Sequence, residues 1–441
     1  MAIPARRPGQ QAEVAGLLLV FVLALAGCAN MAVPPGGPPD STPPHIIVTR
    51  PESGAVVPDF KDAAVIRFDE LIDEMGGLGG EGKGGGSLSG LPSKVVLSPV
   101  AGPVHVSWHR TSLHIKPREG WKRGRVYHLQ ILPGITDLRH NVMKQGAKVI
   151  FSTGPALPHA TLSGTVLQWV EQRAMAQALI RAARLPDTVA YVTFADSGGA
   201  FSLTDIPAGR YRVSAIQDQN SNRQRDEREA FDSVTMAVDS SSSAVFWAFA
   251  HDTLGSRLQD AEPVDSVTFR LAFSSQLDPY AMLDTTRVRL FALPDTTPVP
   301  LRAIWTALRF DSIQTRERFI ADSLRRANDT TARGPVKRDS APPAPRAVRP
   351  RPRALVEDGG TVRVDTARIR QLLRGRPAPT DRWVARTRTP LTPGVKYLVR
   401  VRARNLSGVT ATGEAVLAVP VPKESPAPRD STRAPPPGKT R

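Results

Sequence analysis

Short apolar runs alternating with polar residues dominate residues 44–153, each ending in a turn. They fall at residues 45–49 (HIIVT), 63–68 (AAVIRF), 94–97 (KVVL), 104–108 (VHVSW), 112–116 (SLHIK), 125–131 (RVYHLQI) and 148–153 (KVIFST). Residues 125–131 alternate with period two, as expected of a strand with one face in a core and one in water. Seven strands in so short a span predict an all-β sandwich.

The next pattern, over residues 156–252, predicts a second β-sandwich. It opens with 160–167 (ATLSGTVL), then 196–203 (DSGGAFSL) leads into 206–216 (IPAGRYRVSAI). Phe201, Leu203, Tyr211 and Val213 lie at the spacing that fills one core. Residues 171–184 (EQRAMAQALIRAAR) favour a helix by propensity alone. Strand patterns return at 264–273, 288–292, 397–403 and 414–419, so 253–307 and 382–420 read as two halves of a third sandwich. The polar stretch between them, 308–381, is expected to be largely disordered. Its start, 309–328, predicts an amphipathic helix with Phe310, Ile313, Ile320 and Leu324 on one side. Residues 334–353 (GPVKRDSAPPAPRAVRPRPR) and the tail 421–441 are too polar and proline-rich to offset ordering entropy.

Specific segments carry family resemblances. TPPHIIVTRPESGAVV, VIRFDELID, RGRVYHLQILPGITDLRHN and the closing VIFSTG resemble a bacterial Ig-like domain of the type named after S-layer protein SbsA. The pattern Asp-x-x-Gly-x-Phe-x-Leu…Ile-Pro-x-Gly-x-Tyr-x-Val resembles carboxypeptidase-regulatory-like and collagen-adhesin B-type modules. Those modules share a transthyretin-like sandwich, and the resemblance implies a strand over residues 178–185 in place of the helix. Together these patterns make the expected fold class all-β: tandem β-sandwiches joined by disordered linkers.

The N-terminal end has a different pattern. Arg6 and Arg7 precede an uninterrupted apolar stretch at residues 14–26, too short to span a bilayer comfortably. Leu25-Ala26-Gly27-Cys28 follows and resembles the lipobox of bacterial lipoproteins. This resemblance makes 1–27 a signal peptide and Cys28 the lipid-bearing first residue, with Ala29 favouring outer-membrane delivery, periplasmic or surface-facing. Cys28 is the only cysteine, so no intramolecular disulfide forms. Residues 28–43, rich in proline and glycine, read as an extended tether.

Charge is unevenly placed. Residues 1–300 hold 28 Lys+Arg against 29 Asp+Glu, whereas residues 301–441 hold 30 against 12. For an exported protein, anionic lipopolysaccharide or other envelope polymers suit such a basic third better than nucleic acid, which is not expected. Solvated arginine-rich linkers account for the same composition.

Candidate chemistry is sparse. Gly77, Gly82 and Lys83 approach a phosphate-binding loop, but Gly84 stands where Ser or Thr is needed and no helix follows. His105, His109, His114 and His128 lack matching ligand partners and read as surface strand residues. Asp69, Glu70, Asp73 and Glu74 read as a solvated turn without a defined partner. No Gly-x-Ser-x-Gly elbow is present. One loop is more informative. Asp218, Asn220, Asn222, Asp226 and Glu229 occupy positions 1, 3, 5, 9 and 12 of an EF-hand calcium spacing, with Gln224 offering its carbonyl at position 7. Arg223 replaces the usual glycine at position 6, and Arg223, Arg225 and Arg228 oppose a cation. A weak calcium site and a polar hairpin turn both fit. The expected function is a non-enzymatic envelope lipoprotein, structural or adhesive, binding a surface protein or glycan; the alternative is an accessory or regulatory subunit of an envelope assembly, docking through its basic third.

Overall fold

The computed structural model describes residues 40–73, 90–154, 156–332 and 365–421, excepting the side chains of 327–332. The glycine loop, Glu74, Cys28 with the segments on either side of it, residues 334–353 and the tail beyond Val421 lie outside the described residues.

All seven strands expected in the first sandwich form: β1 (Ile46–Arg50), β2 (Ala64–Phe68), β3 (Val95–Ser98), β4 (Val104–His109), β5 (Ser112–Pro117), β6 (Val126–Ile131) and β7 (Ala147–Ser152). They build two sheets, β1-β2-β5-β4 and β3-β6-β7. Ile66, Phe68, Leu113, Ile115, Tyr127, Leu129 and Phe151 fill the space between them. Strand β6 departs from expectation: every residue is buried, including His128 and Gln130. The alternation is real, but the face expected to meet water lies under the second module instead.

That module runs through β8 (Ala160–Gln168), β9 (Arg173–Ala174), β10 (Leu179–Arg184), β11 (Ala190–Phe194), β12 (Ala200–Ile206), β13 (Gly209–Ile216), β14 (Ala230–Val238) and β15 (Ser241–Ala250). The strand path is β11-β10-β13-β14-β15-β8-β12, and β15 runs parallel to β8. Pairing of β14 with β15 is confined to Ala230↔Ala250 and Phe231↔Phe249, while both ends of the path feed one core. The alanine-rich β10 is a strand because Ala178, Ile180 and Ala182, at period two, enter that core between two antiparallel neighbours. Burial outweighs helix propensity here. Gly164 is required where β8 meets β15: a Cβ would lie 2.2 Å from the Ala244 carbonyl oxygen and 2.6 Å from the Phe201 ring.

The third sandwich comprises β16 (Leu258–Pro263), β17 (Thr268–Leu277), β18 (Val288–Ala292), β19 (Thr297–Val299), β20 (Leu301–Thr306), β21 (Thr380–Thr387), β22 (Lys396–Arg404) and β23 (Thr410–Ala418). The strand expected at 264–273 forms from Thr268 on, as β17; residues 264–267 are the turn from β16, where the Asp265 carboxylate accepts from the Val267 amide. Its sheets are β16-β17-β21-β20 and β19-β18-β22-β23. With the short β19 set aside, this is the connectivity of the first sandwich: first, second, fifth and fourth strands in one sheet, third, sixth and seventh in the other. A local motif repeats as well. Gly124 and Gly394, both at positive φ, each precede by three residues a buried tyrosine opening the sixth strand. The hydroxyls of Tyr127 and Tyr397 accept from the backbone N–H five residues upstream, on Lys122 and Thr392.

The polar insert therefore interrupts the hairpin between fourth and fifth strands. Its described residues include two helices, α1 (Ala307–Ala332) and α2 (Thr366–Arg374). On α1 the expected apolar side does not pack as one stripe: Phe310 is buried near Trp305, whereas Ile320 and Leu324 are exposed. Ile313 is half-buried, and the contact with the sandwich is made by the N-terminal turns of the helix. α2 was not expected; Asp365 caps it by accepting from the Arg368 amide at 2.9 Å. Beyond it, the Arg376 guanidinium lies 3.7 Å from the Trp169 ring centre, and the Trp169 indole donates to the Pro377 carbonyl at 3.0 Å. No helix among the described residues is long and apolar enough to cross a membrane.

Candidate functional site

The EF-hand-spaced loop is the tip of the β13–β14 hairpin, which closes at Ile216↔Phe231 and at the Gln217 amide to the Ala230 carbonyl. Asp218 accepts from the amides of Asn222 and Arg223 at 3.1 and 2.9 Å. Asn220 Oδ1 accepts from the Asn222 amide and Asn222 Oδ1 from the Gln224 amide. Asp226 accepts from the side-chain amides of both asparagines. Glu229, buried at the far end, accepts from the amides of Gln219 and Asp226 and ties the two ends of the loop together. A cation here would require the Asn220 and Asn222 amides to turn oxygen toward Asp226.

Position 6 adopts the conformation that glycine usually supplies, since Arg223 has φ 59°. Its guanidinium feels the charge of Asp218 but makes its hydrogen bonds elsewhere. It reaches into the first sandwich and donates to the carbonyls of Ser93 and Val95. Arg225 lies 4.5 Å from the Phe231 ring centre. Two of the three arginines expected to oppose a cation are thus engaged elsewhere.

Arg223 belongs to a wider junction between first and second modules. Ser98 accepts from the Val192 amide at 3.0 Å, Gln130 donates to the Val192 carbonyl, and Lys148 donates to Thr204 at 3.4 Å. His128, fully buried, donates from Nε2 to the Asp205 carbonyl at 3.3 Å, and its ring centre lies 5.1 Å from that of Tyr191. Burial, with Lys148 nearby, pushes its pKa down to about 3. His128 is not the surface strand residue expected from its sequence context. His105 and His109 are exposed on β4, and His114 is half-buried on β5.

One carboxylate group escaped sequence reasoning. Asp40, Glu70 and Asp137 each bring an oxygen within 4.8 Å of the others. Glu70 lies in a half-exposed bend, as expected, but it is not without a partner, since its carboxyl meets that of Asp137. Desolvation, then the charges of Asp137 and Asp40, hold its pKa above the usual carboxylate value. At Asp137 desolvation is outweighed by hydrogen bonds from Asn141 and Arg139, so its pKa is lowered. Asp69 instead accepts from the His45 amide. Separations of 30 and 67 positions along the chain hide the grouping from any local pattern.

Residues 40–153 match the family described as bacterial Ig-like domain. No curated protein sequence matches the chain. Among solved structures, the major pilin subunit BcpA of Bacillus cereus is 11% identical, with 47% of this chain and 70% of that one covered and a TM-score of 0.17. The Bacillus anthracis TIE protein is 9% identical, with coverage of 67% and 52% and a TM-score of 0.17. The S-layer protein SbsC is 7% identical, with coverage of 86% and 54% and the same TM-score.

Proposed function

We propose that the chain is a non-enzymatic lipoprotein of the outer envelope, built as a stiff stem of Ig-like modules with a structural or adhesive role. In this reading 1–27 is the signal peptide, Cys28 carries the lipid, and 28–43 is the tether. Residues 44–154 are an SbsA-type Ig-like module, 156–252 a transthyretin-like one, and 253–307 with 382–420 a second Ig-like unit. The observation that carries the reading is the junction between first and second modules. Bending there would expose the outer face of β3 and β6 and break the hydrogen bonds that Arg223, Ser98 and Gln130 make across the junction. Each such bond exchanged for one with water is a net loss of about 0.5–1.5 kcal/mol, and re-exposing the surface beneath them adds to it, so the two modules are held as one body. Such stiffness serves a stem that holds a surface away from a membrane. Cys28→Ser tests the anchor: the variant is expected in the soluble fraction or as unprocessed precursor. A mature-sized Cys28→Ser protein still sedimenting with membranes sinks it.

Calcium at Asp218, Asn220, Asn222, Asp226 and Glu229 is part of the proposal, supported by the position-6 conformation and by the engagement of Arg223 and Arg225 elsewhere. Three carboxylates in a ligand set without a position-6 glycine place the affinity at the extracellular-module end, about 10⁻⁴–10⁻³ M. At ten times its dissociation constant, calcium adds about 1.4 kcal/mol by mass action. The melting temperature of the full chain should rise with millimolar calcium, and the rise should vanish in Asp218→Ala. An equal rise in both proteins reduces the loop to a polar turn.

A further inference from the structure

The first and third sandwiches share a connectivity, and the first shows what the outer face of its third-sixth-seventh sheet is for. There Ser98, His128, Gln130 and Lys148 meet the second module. Aligning Tyr127 with Tyr397 identifies the corresponding face of the third sandwich, on β18, β22 and β23. It is open, and it is basic.

The register puts Arg289 opposite Arg400 across the β18–β22 pair. One step along the strands, the Arg402 amide donates to the Arg287 carbonyl, so these two also face each other. Arg404 continues the row, beside a cleft of about 650 Å³ that all five arginines line together with Thr286, Thr410 and Thr412. Arg400 pairs with Glu414 at 2.6 Å, and Arg404 lies 3.6 Å from Asp278. Arg287 makes a long contact with the Ala281 carbonyl and lies near the Asp284 carboxylate, which it helps hold ionised, whereas among the described residues Arg289 and Arg402 have no acidic partner. Like charges directly opposite each other destabilise an antiparallel pair. A folded chain that keeps two such pairs side by side has a use for the field they make. Neighbouring strands are about 4.8 Å apart and alternate residues about 7 Å along a strand, so the guanidiniums form a two-row grid. Guanidiniums bind oxyanions with two parallel hydrogen bonds, and a grid suits repeated oxyanions better than a single one.

We infer that the β18–β22 face is a binding surface for a linear polyanion, a sulfated or phosphorylated polysaccharide. The inference rests on the reading that the chain meets anionic envelope polymers, and it places the contact on a folded surface where Arg400, Arg402 and Arg404 of the basic third are joined by Arg287 and Arg289. The test uses full chain in detergent, heparin as the sulfated polysaccharide, and phosphatidylglycerol vesicles as an anionic membrane. Heparin is expected to bind with strong salt dependence. Arg289→Ala/Arg402→Ala should weaken binding at least tenfold, and the corresponding double lysine variant should recover part of it, with no fall in melting temperature in either variant. Deleting 334–353 should have the smaller effect. If the deletion abolishes binding and the arginine pair does not matter, this face is wrong and the polyanion reading stands. No heparin binding by the wild type at low salt sinks that reading as well. Vesicle binding without heparin binding makes the face a membrane contact and overturns the inference.

Discussion

Tyr127→Ala and Tyr397→Ala are each expected to cost the module that contains them about 3–5 kcal/mol, the range for truncating a large buried aromatic. Tyr127 is fully buried, with its ring 4.9 Å from Trp121 and 5.6 Å from Phe151. Tyr397 is buried in the core that holds Trp383, Val399 and Val401. Each hydroxyl also satisfies the amide five residues back, at 2.7 and 2.8 Å. Phenylalanine keeps the ring and loses that acceptor, so Tyr→Phe at either position should cost about 1 kcal/mol. Denaturant titration followed by tryptophan fluorescence reads both modules once Trp108, Trp169, Trp247 and Trp305 are replaced by Phe, because Trp121 then reports on the first core and Trp383 on the third. Tyr127→Ala should shift the first transition and Tyr397→Ala the second, by like amounts. A Tyr397→Ala protein with an unshifted second transition would show that the two tyrosines are not equivalent and that the repeat is one of connectivity alone.

That repeat shows where sequence pattern stops being informative. The first sandwich was legible because its strands are short, alternating and separated by tight turns. The third has the same plan, but everything between Thr306 and Thr380 separates its fourth and fifth strands, and two helices stand where the first module has a two-residue turn. The tyrosine motif is too brief to identify without the topology that places it. Long-range partners were hidden for a related reason. Alternation along β6 marks two faces, but it cannot distinguish a face meeting water from one meeting another module, so His128 and Gln130 were misplaced. Local charge suggested that Arg223 repels a cation, yet its guanidinium binds carbonyls about 130 positions away. Asp218, Asn220, Asn222, Asp226 and Glu229 were legible as a group because one hairpin tip holds all five. Glu70 was not, because its neighbours Asp40 and Asp137 arrive from other turns.

The junction around His128 should fail in acid. An unperturbed imidazole titrates near pH 6.5, whereas His128 is held down to about 3 by burial and by Lys148. The folded state therefore binds this proton less readily than the unfolded or separated state. As pH falls below about 6.5, protonation draws the chain toward the open form, and the loss is complete only near pH 3. Across that window the cost is at most about 4–5 kcal/mol, because each pH step over which the two states differ by a whole proton contributes about 1.4 kcal/mol. Of the groups facing the imidazole, only Asp205 favours its charged form, and it does not offset burial and Lys148. Lys148 is itself desolvated and cationic, Asp205 offers its carbonyl to Nε2, Tyr191 presents its ring, and Nδ1 has no hydrogen-bond partner. A protonated ring would thus carry a buried charge with one N–H unsatisfied. Denaturant titrations at pH 7 and pH 4 on the wild type and on His128→Leu separate this effect from general acid destabilisation. Leucine fills similar volume without a titrating group, so the variant should lose several kcal/mol less than the wild type between the two pH values. Limited proteolysis should show the same difference, with the wild-type junction becoming cleavable at pH 4 and the variant's remaining protected. Parallel pH dependence in the two proteins would mean that His128 keeps its neutral form without linkage to the junction, and the acid sensitivity would then have to come from elsewhere.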